Sequence, residues 1–188
     1  RRCLSSAGGA VARLAERGWT LHTGIEPEFF LLRRTDRGFD PADAGDRLDK
    51  PSYDLKTLSR QGDFLHAMHA ALARCGLDVL QLDHEDAHGQ YELNFGFDEA
   101  LASADHLMLF KLAAQALAEQ RGMVFSMMPK PFFNQPGSGM HFHVSLWSGW
   151  NPKRPDNAHS VFVPHRSDGS ADRESTLSPI GRQFIAGV

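Results

Sequence analysis

Apolar residues recur at the spacing of one helix face in three parts of the chain. This periodicity predicts a helix over 7–17, a second helix over 59–75, and a long third helix that Asp98 caps and Gly122 ends. A further helix is expected to begin at Ser178-Pro179, since serine is a good N-cap and proline suits the first helical position.

Residues typical of strands lie between these helices and predict strands over 19–32, 77–83, 89–97, 123–128 and 140–147. Asp, Gly, Pro, Asn and Ser are abundant in three other segments, which we interpret as loops at 36–54, 129–139 and 148–176. Strands and helices interleave without internal repeats. The predicted fold class is therefore α+β, with a largely antiparallel, curved sheet and flanking helices.

Composition narrows the class of protein. The chain has 188 residues, of which 41% are hydrophobic, and a formal net charge of −3, which excludes a disordered chain. The weak acidic balance gives no reason to expect nucleic acid or a membrane as partner. Two cysteines cannot form a disulfide framework, and no apolar stretch reaches the roughly 18 residues of a membrane span. We therefore expect a protein of the reducing cytoplasm.

Two glutamates stand at the head of the apolar segment GIEPEFFLL. Glu26 and Glu28 are two residues apart, so a strand directs both carboxylates to one face, while Ile25 and Phe29 point to the other. Side by side, like charges repel unless a cation lies between them. For this segment alone, a solvated strand end is the more common explanation.

A second group of acids lies in LDHEDAHGQYELNFGF. Glu92 shares one strand face with Gln90 and Asn94, and Glu85 precedes it in the turn between two predicted strands. Alone, this pattern is typical of a polar sheet face with a charged hairpin.

The third segment, NQPGSGMHFHVSLW, alternates apolar residues with His141, His143 and Ser145. One strand face is therefore apolar, and the other carries two imidazoles and a hydroxyl. Gly137 and Gly139 precede the strand and allow a ligand or another backbone to approach closely. For His141 and His143, this arrangement makes binding of a ligand or phosphate about as common an explanation as a structural role.

Together, four carboxylates and two imidazoles on strand segments indicate a site for hard cations, Mg²⁺ or Mn²⁺. The number of acids exceeds what one ion needs, so two ions are expected, as in sites that clamp a phosphoryl group during transfer. The sequence has no cysteine cluster of the kind that binds structural zinc. It also has no GxxxxGK[ST] loop, so a nucleotide would not be held by a P-loop.

The three segments resemble, in the same order, the signature segments of the glutamine synthetase family. GIEPEFFLL is similar to its E-x-E strand, HEDAHGQYEL to its H-E…G-Q-x-E segment, and MPKPFFNQPGSGMHFHVSL to its K-P-F/M…G-S-G-M-H-x-H-x-S motif. The resemblance runs from about Gly18 to Val188 and implies a part of that family's catalytic domain over 1–188. The implied reaction has two steps: ATP phosphorylates the γ-carboxylate of glutamate, and ammonia then displaces phosphate.

The resemblance also implies roles for individual residues. One divalent ion would be held by Glu28, Glu85 and Glu92, and a second beside the nucleotide by Glu26 and His141. It places His143 and Ser145 at the nucleotide. The Gly137 carbonyl would face the amino group of the substrate. No catalytic residue is assigned.

One departure from the family's pattern concerns the substrate. Pro136 stands where the family usually has an asparagine, and some relatives join glutamate to methylamine or other amines, so the acceptor stays open. The family's N-terminal domain, last metal-binding glutamate, catalytic arginines and flap have no counterpart here. We therefore expect the 188 residues alone to be incomplete for activity, and the complete protein to form a homo-oligomeric ring.

Two other classes of protein remain as alternatives. A metallohydrolase would use His141 and His143 as zinc ligands and would need no ATP. A non-catalytic relative would keep the fold and bind metal or nucleotide without turnover. Turnover of ATP with glutamate distinguishes the ligase from both.

Overall fold

The computed structural model describes residues 2–164 and 177–188, which form two compact units. The central unit comprises Gly24–Phe97 and Ala104–Phe142. The terminal unit comprises the described residues of Arg1–Thr23, Asp98–Ser103 and His143–Val188. The acidic segments and His141 belong to the central unit, so all the candidate metal ligands lie within one unit.

The described elements agree with the predicted fold class, α+β with antiparallel strand pairs and flanking helices. None of the helices in the described ranges is long and apolar enough to cross a membrane. The helices are α1 (Arg2–Ala15), α2 (Leu55–Arg60), α3 (Gly62–Arg74), α4 (Ala100–Glu119) and α5 (Pro179–Ala186), with a 3₁₀ turn at Pro155–Asn157. The strands are β1 (Trp19–Thr35), β2 (Gly38–Pro41), β3 (Val79–His84), β4 (Gln90–Phe95), β5 (Asp98–Glu99), β6 (Val124–Ser126), β7 (Met140–Ser148) and β8 (His159–Ser160).

In the central unit, β1 pairs antiparallel with β2, β4 and β6, and β3 pairs antiparallel with β4. Side chains alternate across these strands, as the sequence predicts. Phe29 and Tyr91 lie directly opposite each other and are fully buried in the apolar core. That core contains residues of β1, β4, α3 and α4, among them Ile25, Leu31, Phe64, Met68, Leu72, Leu93 and Phe110.

This core determines which way the acids point. Because Ile25, Phe29 and Leu31 face the core, the intervening Glu26 and Glu28 lie on the opposite face of β1. A second, smaller cluster of Phe30, Leu32 and Ala87 packs beside the acids on that face. Glu26 and His141 nevertheless stay partly exposed to solvent, with side-chain exposures of 29% and 70%.

The terminal unit carries the last predicted helix. Ser178 caps α5, accepting a hydrogen bond from the Gly181 amide to its hydroxyl oxygen (2.9 Å), as predicted. The same hydroxyl donates to the Val161 carbonyl (2.7 Å). Strands β7 and β8 pair antiparallel through Trp147 and Ser160.

Four sequence predictions need correction. The predicted loop 36–54 contains β2, and the predicted helix 59–75 is α3, preceded by the separate helix α2. Asp98 does not cap α4. It pairs with Thr23 as part of β5, and α4 begins only after this pairing ends. In the predicted loop 148–176, the structure contains the 3₁₀ turn and β8, and residues 165–176 lie outside the described part.

Candidate metal centre

Two acids face each other across neighbouring strands of the central unit. Glu28 on β1 and Glu92 on β4 are direct antiparallel partners. Glu28 is buried and Glu92 is half-buried. Like charges in directly opposite positions destabilise a sheet, so the arrangement needs compensation from donors or a cation.

Part of that compensation for Glu28 comes from two neutral donors. Its Oε2 accepts hydrogen bonds from the Gln90 side-chain amide (2.7 Å) and from the Gly139 backbone amide (2.9 Å). Glu92 has a weaker partner, because Asn94 Nδ2 donates to its Oε1 at 3.1 Å. Neither carboxylate has a basic side chain among these partners.

A second acid and an imidazole lie near Glu92. One ligand atom from each of Glu26, Glu92 and His141 lies within 4.8 Å of the other two. His141 Nδ1 is 3.4 Å from Glu26 Oε2, and the imidazole is 70% exposed. Strand β7 thus supplies a nitrogen ligand beside two carboxylates. Among the described residues, this group joins Glu92, predicted for the first ion, to Glu26 and His141, predicted for the second, so the division of ligands between two ions stays a prediction.

Glu85 completes the acidic group from the turn between β3 and β4. Burial, together with Glu28, Glu92 and Asp86, raises the pKa of Glu85 to about 7. Burial also raises the pKa of Glu92, with Glu26 and Glu28 adding to the effect, although Asn94 opposes it. Burial is the main cause of both shifts, and the neighbouring carboxylates add to it.

The donor set fits divalent cations. Carboxylate oxygens and an imidazole nitrogen are ligands of Mg²⁺ and Mn²⁺. A divalent ion here would favour the ionised carboxylates and remove their mutual repulsion.

The glycine-rich loop approaches the acids closely, as the sequence predicts. A Cβ atom at Gly139 would lie 3.0 Å from Glu28 Oε1, and one at Gly137 only 2.4 Å from the Pro129 carbonyl oxygen. The Gly137 carbonyl accepts a hydrogen bond from Gln90 Nε2 at 3.1 Å. Gly137 is therefore required by space, a side chain at Gly139 would fit only if Glu28 shifted, and Gln90 connects this loop to Glu28.

His143 and Ser145 lie further along β7, in the terminal unit. His143 is exposed, and the half-buried Ser145 hydroxyl accepts a hydrogen bond from Trp147 Nε1 (2.9 Å). Their proposed contact with a nucleotide stays a prediction.

Sequence reasoning missed one buried residue near the site. Asp46 lies in the segment interpreted as a loop, but its side chain is buried against His84, next to Glu85. No local pattern marks it, because an aspartate in an Asp- and Gly-rich loop is ordinarily exposed.

Known proteins resemble the chain over most of its length. The family model of the glutamine synthetase catalytic domain matches residues 5–188. A glutamate–methylamine ligase of Methyloversatilis universalis is 50% identical over 139 residues, which cover 74% of this chain and 31% of that protein. A glutamine synthetase of Rhizobium meliloti is 36% identical over 178 residues, which cover 95% and 38%.

Solved structures agree with this assignment. A GmaS/ADP complex superposes with a TM-score of 0.80 at 32% identity, over 96% of this chain and 38% of that one. A glutamine synthase homologue shares the fold, with a TM-score of 0.71 at 22% identity. The chain spans 31% and 38% of the length of the two curated relatives. With the family model matching nearly every residue and the acidic motifs meeting in one site, the chain belongs to the glutamine synthetase family and corresponds to part of its catalytic domain.

Proposed function

We propose that the protein carrying this chain is an ATP-dependent ligase that joins the γ-carboxylate of glutamate to a small amine through γ-glutamyl phosphate. The observation that carries the proposal is geometric: Glu26, Glu92 and His141 place three ligand atoms within 4.8 Å of one another, and Glu28 lies directly opposite Glu92. Family membership supports the reaction class.

Two divalent ions, Mg²⁺ or Mn²⁺, fit the acids. In the proposed assignment, Glu28, Glu85 and Glu92 hold one ion, and Glu26 and His141 hold the other. Bound ions would supply the positive charge that offsets the phosphoryl oxygens during transfer. Gln90 and Gly139 both donate hydrogen bonds to Glu28 Oε2. These bonds fix the orientation of the carboxylate, including its second oxygen, before any ligand binds.

The Gly137 carbonyl is the proposed contact for the amino group of glutamate. A carbonyl oxygen has two lone pairs, and Gln90 uses one of them. The other can accept a hydrogen bond from a substrate ammonium group. Because Gln90 fixes the carbonyl direction, the substrate would not have to order it on binding.

His143 and Ser145 are the proposed nucleotide contacts. They follow His141 at alternate positions of β7, so they share its strand face. A solved neighbour that contains ADP supports nucleotide binding by this family of folds.

Methylamine is the acceptor we place first, ahead of ammonia. The glutamate–methylamine ligase at 50% identity supports it, whereas the glutamine synthetase at 36% identity keeps ammonia as the second candidate. Pro136 also supports a changed contact with the amino-acid end of the substrate. Proline has no amide hydrogen and no polar side-chain group, whereas the asparagine usual in the family has both.

The remaining parts of the proposal concern the setting of the enzyme. We propose a cytoplasmic homo-oligomeric ring whose partners are glutamate, ATP and the amine, without nucleic acid or membrane. Light scattering after size-exclusion chromatography measures the oligomer directly, and a monomer would contradict the ring.

The decisive experiment is phosphate release from ATP by the purified protein, with glutamate and either methylamine or ammonium, in Mg²⁺ or Mn²⁺. Mass spectrometry of the product identifies γ-glutamylmethylamide or glutamine. Glutamate omission is the control, since turnover without it would be simple ATP hydrolysis.

Each outcome assigns the protein to a class. Amine-dependent phosphate release supports the ligase, and the higher kcat/KM names the acceptor. Zinc-dependent hydrolysis without ATP would point to a metallohydrolase. Metal or ADP binding without turnover would indicate a non-catalytic relative.

A further inference from the structure

A buried ion pair contacts the turn that carries Glu85. His84 Nε2 and Asp46 Oδ2 are 2.9 Å apart, and both side chains are fully buried. The same Asp46 oxygen accepts a hydrogen bond from the Gly89 amide at 2.6 Å. One carboxylate oxygen therefore holds both ends of the turn that runs from His84 to Gly89 and contains Glu85.

The other side of the imidazole reaches Glu85 itself. His84 Nδ1 donates to the Glu85 carbonyl oxygen at 2.8 Å. The backbone on both sides is also fixed, because the Glu85 amide donates to the Gln90 carbonyl and the Tyr53 amide to the His84 carbonyl. Asp46, His84 and the Glu85 backbone thus form one continuous chain of hydrogen bonds.

The burial of Asp46 is not explained by stability alone. Its Oδ1 has no hydrogen-bond partner among the described residues and is shielded from solvent, as is the Tyr91 hydroxyl. An unsatisfied buried carboxylate oxygen is costly, and apolar side chains would fill the same space without that cost. Such costs are common where a structure serves a function.

We propose that Asp46 is a positioning residue that, through His84, fixes the backbone of Glu85 and so directs the Glu85 carboxylate towards the metal ligands. Glu28 and Glu92 are the charges that act most strongly on the half-buried Glu85 carboxylate. The inference rests on the proposed function only in taking this acidic group to be the metal site.

The test compares three variants of the purified protein. Asp46→Asn keeps the shape and removes the charge. His84→Gln keeps a donor towards Asp46 and gives up the one towards Glu85. Asp43→Asn is the matched control, because Asp43 lies in the same loop and pairs with Arg60 (2.5 Å) rather than with the turn.

We expect Asp46→Asn and His84→Gln each to raise the Mn²⁺ concentration for half-maximal activity, and the Mn²⁺ dissociation constant by calorimetry, by about tenfold. The control should stay within about twofold of the parent, and KM for ATP should change less than the metal requirement. Measurements well below each variant's thermal midpoint separate positioning from loss of fold.

The inference is overturned if folded Asp46→Asn and His84→Gln bind Mn²⁺ like Asp43→Asn. If Asp46→Asn does not fold, His84→Gln decides alone. A parent protein that binds Mn²⁺ but shows no ligase turnover would refute the proposed function, and the calorimetric comparison would still decide the role of Asp46.

Discussion

The buried Glu28 and the half-buried Glu92 are direct cross-strand partners in the central unit, and the described donors to their carboxylates are amides. A sheet that places two acids opposite each other loses stability to their repulsion. A divalent ion between such acids would reverse that loss. The relationship therefore predicts opposite effects of one substitution in the absence and presence of metal.

Glu92→Gln removes one charge and keeps the size of the side chain. Without metal, we expect the free energy of unfolding to rise by about 0.5–1 kcal/mol, because the repulsion from Glu26 and Glu28 disappears. With saturating Mn²⁺, the parent should gain stability and the variant should gain much less. Urea unfolding with and without Mn²⁺ measures both differences.

Glu16→Gln is the control for this experiment, since Glu16 is exposed just after α1. Its stability should stay within about 0.5 kcal/mol of the parent in both conditions. A Glu92→Gln protein that is less stable without metal would contradict the repulsion argument.

Glu85 gives the metal-free protein a pH dependence of known sign. Its folded-state pKa of about 7 exceeds the ordinary value of 4.5, so the folded protein holds the proton more tightly than the unfolded chain. The stability from this group is present below pH 4.5 and is lost as the pH rises towards 7. We therefore expect ionisation of Glu85 to lower the thermal midpoint of the metal-free protein as the pH rises from 4.5 towards 7.

The variant Glu85→Gln removes the titrating group, so the difference between parent and variant isolates its contribution across the pH series. Saturating Mg²⁺ should reduce the parent's decline, because bound cation favours the ionised carboxylate. A difference between the two proteins that does not change between pH 4.5 and 7 would contradict the assignment.

The sequence predicted the acidic face because strand periodicity is local. Once Ile25 and Phe29 are assigned to the core, alternation alone places Glu26 and Glu28 on the other face. The same argument places Gln90 beside Glu92. Strand β2 was missed because its residues are mostly exposed and carry no apolar alternation. Asp46 was missed because its partner, His84, is distant in sequence.

The lack of space for a side chain at Gly137 predicts that substitution there destabilises the protein. In Gly137→Ala, the new Cβ would lie 2.4 Å from the Pro129 carbonyl oxygen, which is backbone and cannot rotate away. We expect a loss of about 1–3 kcal/mol in the free energy of unfolding. Gly9→Ala is the control of opposite sign, because Gly9 lies within α1 with open space around its Cβ position, and alanine should stabilise that helix by about 0.5–1 kcal/mol. Equal effects in urea unfolding would contradict the clash.

Gln90 links the acids to the glycine-rich loop, and its loss should affect metal and glutamate binding together. Its Nε2 donates to both Glu28 Oε2 and the Gly137 carbonyl, and its Oε1 accepts from the Ala87 amide (3.0 Å). In Gln90→Met, which keeps the unbranched shape, these groups lose a partner, at about 1–3 kcal/mol for a buried unsatisfied group. We expect KM for glutamate and the half-saturating Mn²⁺ concentration both to rise.

Gln81→Met is the matched control, because Gln81 is exposed on β3 and its amide pairs with Asp83, away from Gly137. Steady-state kinetics at fixed ATP, with glutamate and Mn²⁺ varied in turn, measure the two constants for each protein. If Gln90→Met changed only its thermal midpoint and left both constants at the control's values, Gln90 would be a stabilising contact alone. A joint change would support this link, because Gln90 Nε2 donates to both the Glu28 carboxylate and the Gly137 carbonyl.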